Sequence, residues 1–83
     1  MGIPSKGKMK IINFLSQKEF ALLTEIMKET GISYAYCKRY LRELEKEDII
    51  EAVSIGRIKL FRLRKEKPVV LAMARLMEIV SSE

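Results

Sequence analysis

The residues of this chain that can do chemistry are mostly cations and tyrosines rather than acid–base or nucleophilic groups. The sequence has no histidine and a single cysteine, Cys37, so the commonest general base is missing and no internal disulfide can form. It also lacks a glycine-rich phosphate loop and any nucleophile motif, and its acidic residues are scattered. We therefore expect no catalysis, no metal site and no cofactor.

The cations are concentrated in three stretches. Sixteen Lys and Arg against eleven Asp and Glu give a net charge of +5. Residues 1–18 carry +4, residues 33–42 carry +3 and residues 52–67 carry +5, whereas residues 19–32 and 43–51 are net negative. Each cation alone is compatible with a merely solvated surface, but their clustering favours an anionic partner such as a nucleic acid.

Length and composition predict one small folded module. The chain has 83 residues, of which 48% are hydrophobic and 33% charged, which is enough apolar material for a single core. It has no apolar run of the roughly 20 residues that cross a bilayer, and its first residues lack the apolar stretch of a signal peptide. We expect no membrane association and a cytoplasmic location. Asn13 and Gln17 are the only side-chain amides, a composition that leans towards an archaeal or thermophilic source.

Four helices and a hairpin are predicted to position the cations. The first helix begins after the N-cap Ser5 and ends near Leu15, and the second covers 21–30 and ends at Gly31, which suits a left-handed residue. The third begins after the N-cap Ser33 and reaches about Asp48. Two strands, 49–55 and 58–64, enclose a turn that contains Gly56, and a fourth helix opens at Pro68 and ends near Val80.

The third helix follows a glycine turn, and its first half is basic and aromatic. Cys37, Leu41 and Leu44 lie at i, i+4 and i+7 and are predicted to face the core, with Tyr40 at the edge of that face. Ala35, Arg39 and Arg42 then project outwards, and Tyr36 and Lys38 lie on opposite flanks. A helix–turn–helix of this kind fits the DNA major groove, where small Ala35 permits a close approach and Arg39 reaches a guanine edge.

An ion pair within the helix is the alternative for Arg39. Glu43 lies one turn further on, and an i, i+4 pair of this type contributes a few tenths of a kcal/mol. Cys37, on the inward face, is interpreted as a small core residue rather than a redox sensor.

From residue 9 to about residue 64 the chain resembles the winged helix-turn-helix DNA-binding domains of bacterial and archaeal transcription regulators. The resemblance rests on two stretches, LTEIMKETGIS at 23–33 and CKRYLRELEKEDII at 37–50. Family members usually have a small residue at Met27, an aliphatic residue at Cys37 and glycine at Asp48.

The resemblance implies a mainly α fold with a small β-hairpin: a three-helix core plus a wing. In such proteins the recognition helix, here 33–48, reads the major groove, and the wing, here 54–59, touches the minor groove or the backbone. The implied role of the wing falls on Arg57 and Lys59. Together with these two, the predicted DNA-binding residues are Ser33, Tyr34, Ala35, Tyr36, Lys38, Arg39 and Arg42.

The fourth helix is apolar on nearly all its faces and is additional to the minimal winged-helix core. One face can dock on the first helix, which leaves Val69, Met73, Leu76 and Val80 at i, i+4, i+7 and i+11 to meet the same helix of a second copy. We therefore predict a winged helix-turn-helix domain at 1–67, a dimerisation helix at 68–83 and a homodimer. The alternative is a helix that folds entirely onto its own domain.

These observations predict a homodimeric transcription regulator that binds double-stranded DNA in a sequence-specific manner. A winged-helix protein–protein interaction module and an RNA-binding module are the alternatives. No small-molecule ligand is evident from the sequence.

Overall fold

The computed structural model describes residues 5–81 and the side chains of residues 5–80. Residues 1–4 of the predicted segment 1–67 and residues 82–83 of the predicted segment 68–83 therefore lie outside the described residues. The described part contains four helices and three strands: α1 Lys6–Ser16, β1 Ala21–Leu22, α2 Leu23–Thr30, α3 Tyr34–Lys46, β2 Ile50–Ile55, β3 Ile58–Leu63 and α4 Pro68–Ser81. The strands form one antiparallel sheet of order β1-β3-β2. The predicted winged-helix fold, with its additional C-terminal helix, is confirmed.

The predicted helix boundaries at Ser5 and Gly31 are confirmed by their hydrogen bonds. The Lys8 amide donates to the Ser5 hydroxyl at 3.3 Å, which caps α1. Gly31 has φ 74°, and its amide donates to the Met27 carbonyl at 2.9 Å. This left-handed residue turns the chain between α2 and α3.

The start of α2 differs from the prediction, because residues 21–22 form strand β1 rather than the first helical turn. Ala21 pairs with Phe61 and Leu22 with Leu60 of β3. This pairing joins residues about 40 positions apart, so local helical periodicity cannot reveal it. Its effect is to anchor the N-terminus of α2 on the hairpin.

The end of α3 also differs, because the helix stops at Lys46 and Asp48 takes the left-handed conformation, with φ 58°. The Asp48 amide donates to the Glu45 carbonyl and the Ile49 amide to the Leu44 carbonyl, both at 3.0 Å. These two bonds form a Schellman motif in which Asp48 occupies the usual glycine position. The family preference for glycine here therefore has a backbone cause.

The core is one apolar cluster to which every helix and strand of the described residues contributes. Cys37, Leu41 and Leu44 are buried in it, as predicted, and Tyr40 is half-buried against it. Phe61 and Leu63 enter it from the sheet, since their strand alternates between the two faces. Helix α3 is therefore fixed along its inner face. The other buried members are Ile11, Ile12, Leu15, Ala21, Ile26, Ile49, Ile50, Val70 and Ala74.

Helix α4 packs on α1 through one face and leaves another face in solvent. Val70 and Ala74 are buried, and Met73 packs partly against the core. Three of the four predicted dimer residues are exposed: Val69 by 58%, Leu76 by 60% and Val80 by 59%. Within residues 5–81, no helix is long and apolar enough to cross a membrane.

Candidate nucleic-acid interface

The outer face of α3 carries the predicted recognition residues. Because Cys37 and Leu41 are buried on the inner face, the other residues of the first two turns, apart from half-buried Tyr40, point to solvent. Tyr34 and Tyr36 are 54% and 55% exposed. The structure thus places in solvent all seven residues predicted on this helix and its cap: Ser33, Tyr34, Ala35, Tyr36, Lys38, Arg39 and Arg42.

A cleft of about 260 Å³ separates one flank of α3 from the hairpin. Lys38 and Arg42 line it from the helix, and Lys59 lines it from β3. The Lys38 ammonium lies 5.3 Å from the centroid of the Tyr34 ring, and the Lys59 ammonium lies 5.6 Å from that of Phe61. Aromatic rings at this distance attract a cation and restrict its position. Three cations from two elements therefore meet in one cleft, whose remaining lining residues are Leu23, Leu41 and Glu45.

A second cleft lies on the opposite flank of α3, against the start of α1. Lys6 and Lys10 line it together with Ser33 and Tyr36. Although Ser33 is the N-cap of α3, its hydroxyl makes no capping hydrogen bond. The DNA-binding residues predicted from the sequence did not include Lys6 and Lys10. The +4 charge of residues 1–18 is the sequence feature that could have indicated them.

The close approach of α1 to α3 at this second cleft depends on Gly7. A Cβ atom at Gly7 would lie 2.5 Å from Cε2 of Tyr40, so any side chain there would displace the ring. Tyr40 in turn stacks obliquely on Tyr36, with ring centroids 6.0 Å apart. The absence of a side chain at Gly7 thus shapes this cleft.

The hairpin presents its two predicted contact residues at and beside its tip. Gly56 has φ 62° at the first position of a two-residue turn, the place where such turns require glycine. Arg57 follows in the turn and is exposed. Lys59 is opposite Ser54 and shares the sheet face of Phe61, which directs it towards α3.

The other arginines of the hairpin are held by the protein's own carboxylates. Arg62 binds Glu51 at 2.8 Å and Glu66 at 3.0 Å, and Arg64 lies 3.6 and 3.8 Å from the same two residues. The hydrogen bond from Arg62 lowers the pKa of the Glu66 carboxyl, and the two carboxylates raise the pKa of Arg62. These arginines stabilise the base of the wing.

The two lysines that follow β3 also have structural partners. The Lys65 ammonium donates to the Ser16 carbonyl at 2.7 Å, and the Lys67 ammonium donates to the Asp48 carbonyl at 3.3 Å. Of the six cations in residues 52–67, four are thus engaged inside the domain. Arg57 at the tip of the wing and Lys59 beside it make no hydrogen bond or ion pair within residues 5–80.

Arg39 makes the helical ion pair that the sequence offers as an alternative. Its Nε lies 3.3 Å from Oε2 of Glu43, and the other oxygen of Glu43 lies 2.7 Å from Nζ of Lys8. Lys8 also lies 3.1 Å from Glu47 and is only 15% exposed. The basic start of the chain is therefore divided, because Lys8 is paired with acids of α3 whereas Lys6 and Lys10 face the second cleft.

Comparison with known families gives one match, to the model described as winged helix-turn-helix DNA-binding, over residues 8–51. This span is 44 of the 83 residues and runs from α1 to the start of β2. A comparison with curated proteins gave no significant match.

Several solved structures are similar to the chain in fold. A predicted DNA-binding transcriptional regulator from E. coli matches with a TM-score of 0.77 and 19% identity, over 87% of this chain and 74% of its own. The adhesin competence repressor AdcR from Streptococcus pyogenes matches with a TM-score of 0.81 and 20% identity, over 94% of this chain and 57% of its own. The chain thus spans little more than half the length of that repressor.

A third similar structure is shorter. The Zalpha domain of PKZ from Carassius auratus, solved in complex with Z-DNA, matches with a TM-score of 0.63 and 26% identity, over 70% of this chain and 92% of its own. The family match covers more than half of the sequence. The chain belongs to the winged helix-turn-helix DNA-binding family.

Proposed function

We propose that this protein is a transcription regulator that binds double-stranded DNA in a sequence-specific manner, with α3 in the major groove. The observation that carries the proposal is the pair of basic clefts on opposite flanks of the exposed α3 ridge. The major groove is about 12 Å wide and has a phosphate backbone along each side. A helix with lysines on both flanks matches that arrangement of charge.

The position of each residue suggests its role. Ala35 and Arg39, on the outermost line of α3, face the base edges, where Arg39 reads a guanine. The cations of the two clefts bind the phosphates on either side, and Arg57 reaches the minor groove or backbone beyond them. Phosphate contacts set affinity and salt dependence, whereas base contacts set specificity.

A salt titration of duplex binding tests the role of the phosphate contacts. Lys59→Ala is expected to weaken binding to every sequence alike and to reduce the slope of log K against log salt by about 0.9. Arg75→Ala is the matched control, because it removes one exposed positive charge from α4, outside both clefts. A salt-independent affinity, or equal effects of the two substitutions, would contradict the proposed interface.

Selection from a random duplex pool tests the role of Arg39. Arg39→Ala is expected to cost about 1–3 kcal/mol of discrimination at one base pair, with a smaller effect on random DNA. An equal loss on selected and random DNA would assign Arg39 to the backbone.

Competitors in the same assay separate the alternative functions. B-form duplex, Z-form duplex and structured RNA of equal length are compared, since one similar structure is a complex with Z-DNA. We expect B-form DNA to compete best. Preference for RNA or Z-form DNA would overturn major-groove docking, and absence of nucleic-acid affinity at low salt would favour a protein-interaction module.

We further propose that the protein is a homodimer through α4. Val69, Ala72, Leu76 and Ile79 are all exposed, and their 3, 4, 3 spacing is that of a coiled-coil seam, with Val80 beside it. Met73, one of the predicted interface residues, packs partly against its own core instead. An isologous contact of this stripe would place two recognition helices on half-sites about 10 bp apart, or a multiple of that spacing.

Sedimentation equilibrium of Leu76→Ala tests the dimer. Full burial of a leucine contributes about 1.5–3 kcal/mol, and Leu76 is 60% exposed in the single chain. Because a dimer contains two copies of Leu76, the substitution weakens the free energy of dimerisation by roughly 2–4 kcal/mol. This loss raises the dissociation constant about 30-fold or more. Ile55→Ala is the matched control, because Ile55 is 62% exposed but lies on the wing. A monomeric wild-type protein, or equal effects of both substitutions, would refute the dimer.

A further inference from the structure

Glu43 is the bridge between α1 and Arg39, an exposed arginine of α3. Each of its carboxylate oxygens has its own cation: Oε1 lies 2.7 Å from Nζ of Lys8, and Oε2 lies 3.3 Å from Nε of Arg39. Glu43 and Arg39 are one helical turn apart, whereas Lys8 belongs to α1. The network therefore crosses from one element to another, unlike an isolated pair along a helix surface.

The bond to Glu43 leaves the two terminal nitrogens of the Arg39 guanidinium unoccupied. Its hydrogen bond to Glu43 uses Nε, so neither terminal nitrogen has a partner within the described residues. Those two nitrogens are the donors that contact N7 and O6 of guanine in a bidentate pair. The Arg39 side chain is 68% exposed, so without the bond it would sample many rotamers.

We propose that Glu43, held by Lys8, is a positioning residue that directs Arg39 towards a base edge, so that sequence discrimination by α3 depends on a contact from α1. The inference rests on the proposed DNA-binding function and specifies what sets its selectivity. A guanidinium already held in its binding orientation loses less conformational freedom when it meets its base.

The surroundings of Glu43 support a fixed bridge. Lys8 is 15% exposed and is also held by Glu47 at 3.1 Å, so the cation that fixes Glu43 is itself constrained. The hydrogen bond from Lys8, assisted by the one from Arg39, lowers the pKa of the Glu43 carboxyl. If α3 docks as proposed, a carboxylate beside the DNA weakens binding to all sequences alike, so a benefit of Glu43 to DNA recognition lies in selectivity rather than in affinity.

The test compares Glu43→Gln with Glu47→Gln. Both substitutions remove one carboxylate that binds Lys8, but only Glu43 contacts Arg39. The readout is a discrimination ratio: the dissociation constant for the selected duplex changed at the base pair read by Arg39, divided by the dissociation constant for the unchanged selected duplex. We expect Glu43→Gln to reduce this ratio at least fivefold, while affinity for random DNA stays equal or rises. Glu47→Gln is expected to preserve the ratio.

Two further variants complete the experiment. In an Arg39→Ala background, Glu43→Gln is expected to leave the ratio unchanged, because the residue it positions is gone. Lys8→Met, which keeps the Arg39–Glu43 pair but removes the contact from α1, is expected to lower the ratio in the wild-type background. Thermal unfolding of each variant verifies that it folds, and a purely structural role would change stability without changing the ratio.

The possible failures are distinguishable. A wild-type protein without sequence discrimination would overturn the proposed function and this inference together. Wild-type discrimination that survives Glu43→Gln would overturn this inference alone. Discrimination that is lost in Glu43→Gln but kept in Lys8→Met would overturn the dependence on α1.

Discussion

Replacement of Asp48 by glycine is expected to stabilise the protein, because this residue closes α3 in a conformation that suits glycine. Asp48 has φ 58° and is exposed, and within the described residues its side chain makes no hydrogen bond or ion pair. Its backbone contacts, including the bond that its carbonyl accepts from Lys67, remain available to glycine. The substitution thus changes the backbone preference and one charge, with no loss of packing.

The magnitude follows from three opposing terms. The left-handed backbone conformation costs roughly 1–2 kcal/mol for a residue with a side chain, and this cost is somewhat smaller for Asp. An acidic side chain at a helix C-terminus costs a further ~0.3–1 kcal/mol, whereas glycine loses roughly 0.5–1 kcal/mol through the greater freedom of the unfolded chain. The net gain is about 1 kcal/mol, which corresponds to roughly 4–8 °C in Tm for a domain of this size.

Urea and thermal unfolding of three variants provide the assay. Asp48→Asn removes the charge but keeps a residue that tolerates positive φ, so its difference from Asp48→Gly isolates the backbone term. Asp48→Ala keeps the left-handed cost and is expected to be the least stable of the three. If Asp48→Gly proves no more stable than Asp48→Asn, the attribution to backbone conformation is wrong.

Three other predictions concern stability and reactivity. Gly31→Ala is expected to lower the free energy of unfolding by about 1 kcal/mol, because Gly31 has φ 74° although a Cβ there would meet no neighbour. Burial raises the pKa of the Cys37 thiol, so a thiol reagent is expected to label it slowly in the native protein and fast in urea; rapid native labelling would contradict its burial. The pKa values of Glu43 and Glu66 are lowered in the fold, so their stabilisation is present above their ordinary value of 4.5 and is lost as pH falls through the lowered values. Urea titrations at neutral and acid pH are expected to show this loss, and a smaller loss in Glu43→Gln.

Much of the fold follows from local rules that act within one turn of chain. The cap at Ser5, the left-handed Gly31 and the proline that opens α4 each depend on the backbone of a few neighbouring residues. The inward face of α3 follows from the 100° helical step, because that geometry holds wherever the helix packs. These features were therefore predictable from residue types and spacing.

Features that depend on distant partners were not predictable in this way. Strand β1 exists because Ala21 and Leu22 meet β3, from which α2, α3 and β2 separate them in the chain, and the residues alone are equally compatible with helix. Similarly, Met73 packs against its own core because α4 lies on α1 at one particular rotation.

The sequence by itself determined where positive charge is concentrated and which face of α3 is turned outwards. Only the tertiary structure decided which cations remain for a partner, because the carboxylates and carbonyls that engage Lys8, Arg62 and Lys65 come from other elements. It also decided that Lys6, Lys10 and Lys59 flank α3. The physical reason is that charge is a property of each residue, whereas pairing requires atoms within about 4 Å, and that proximity between residues far apart in the chain arises when the helices and the sheet pack together.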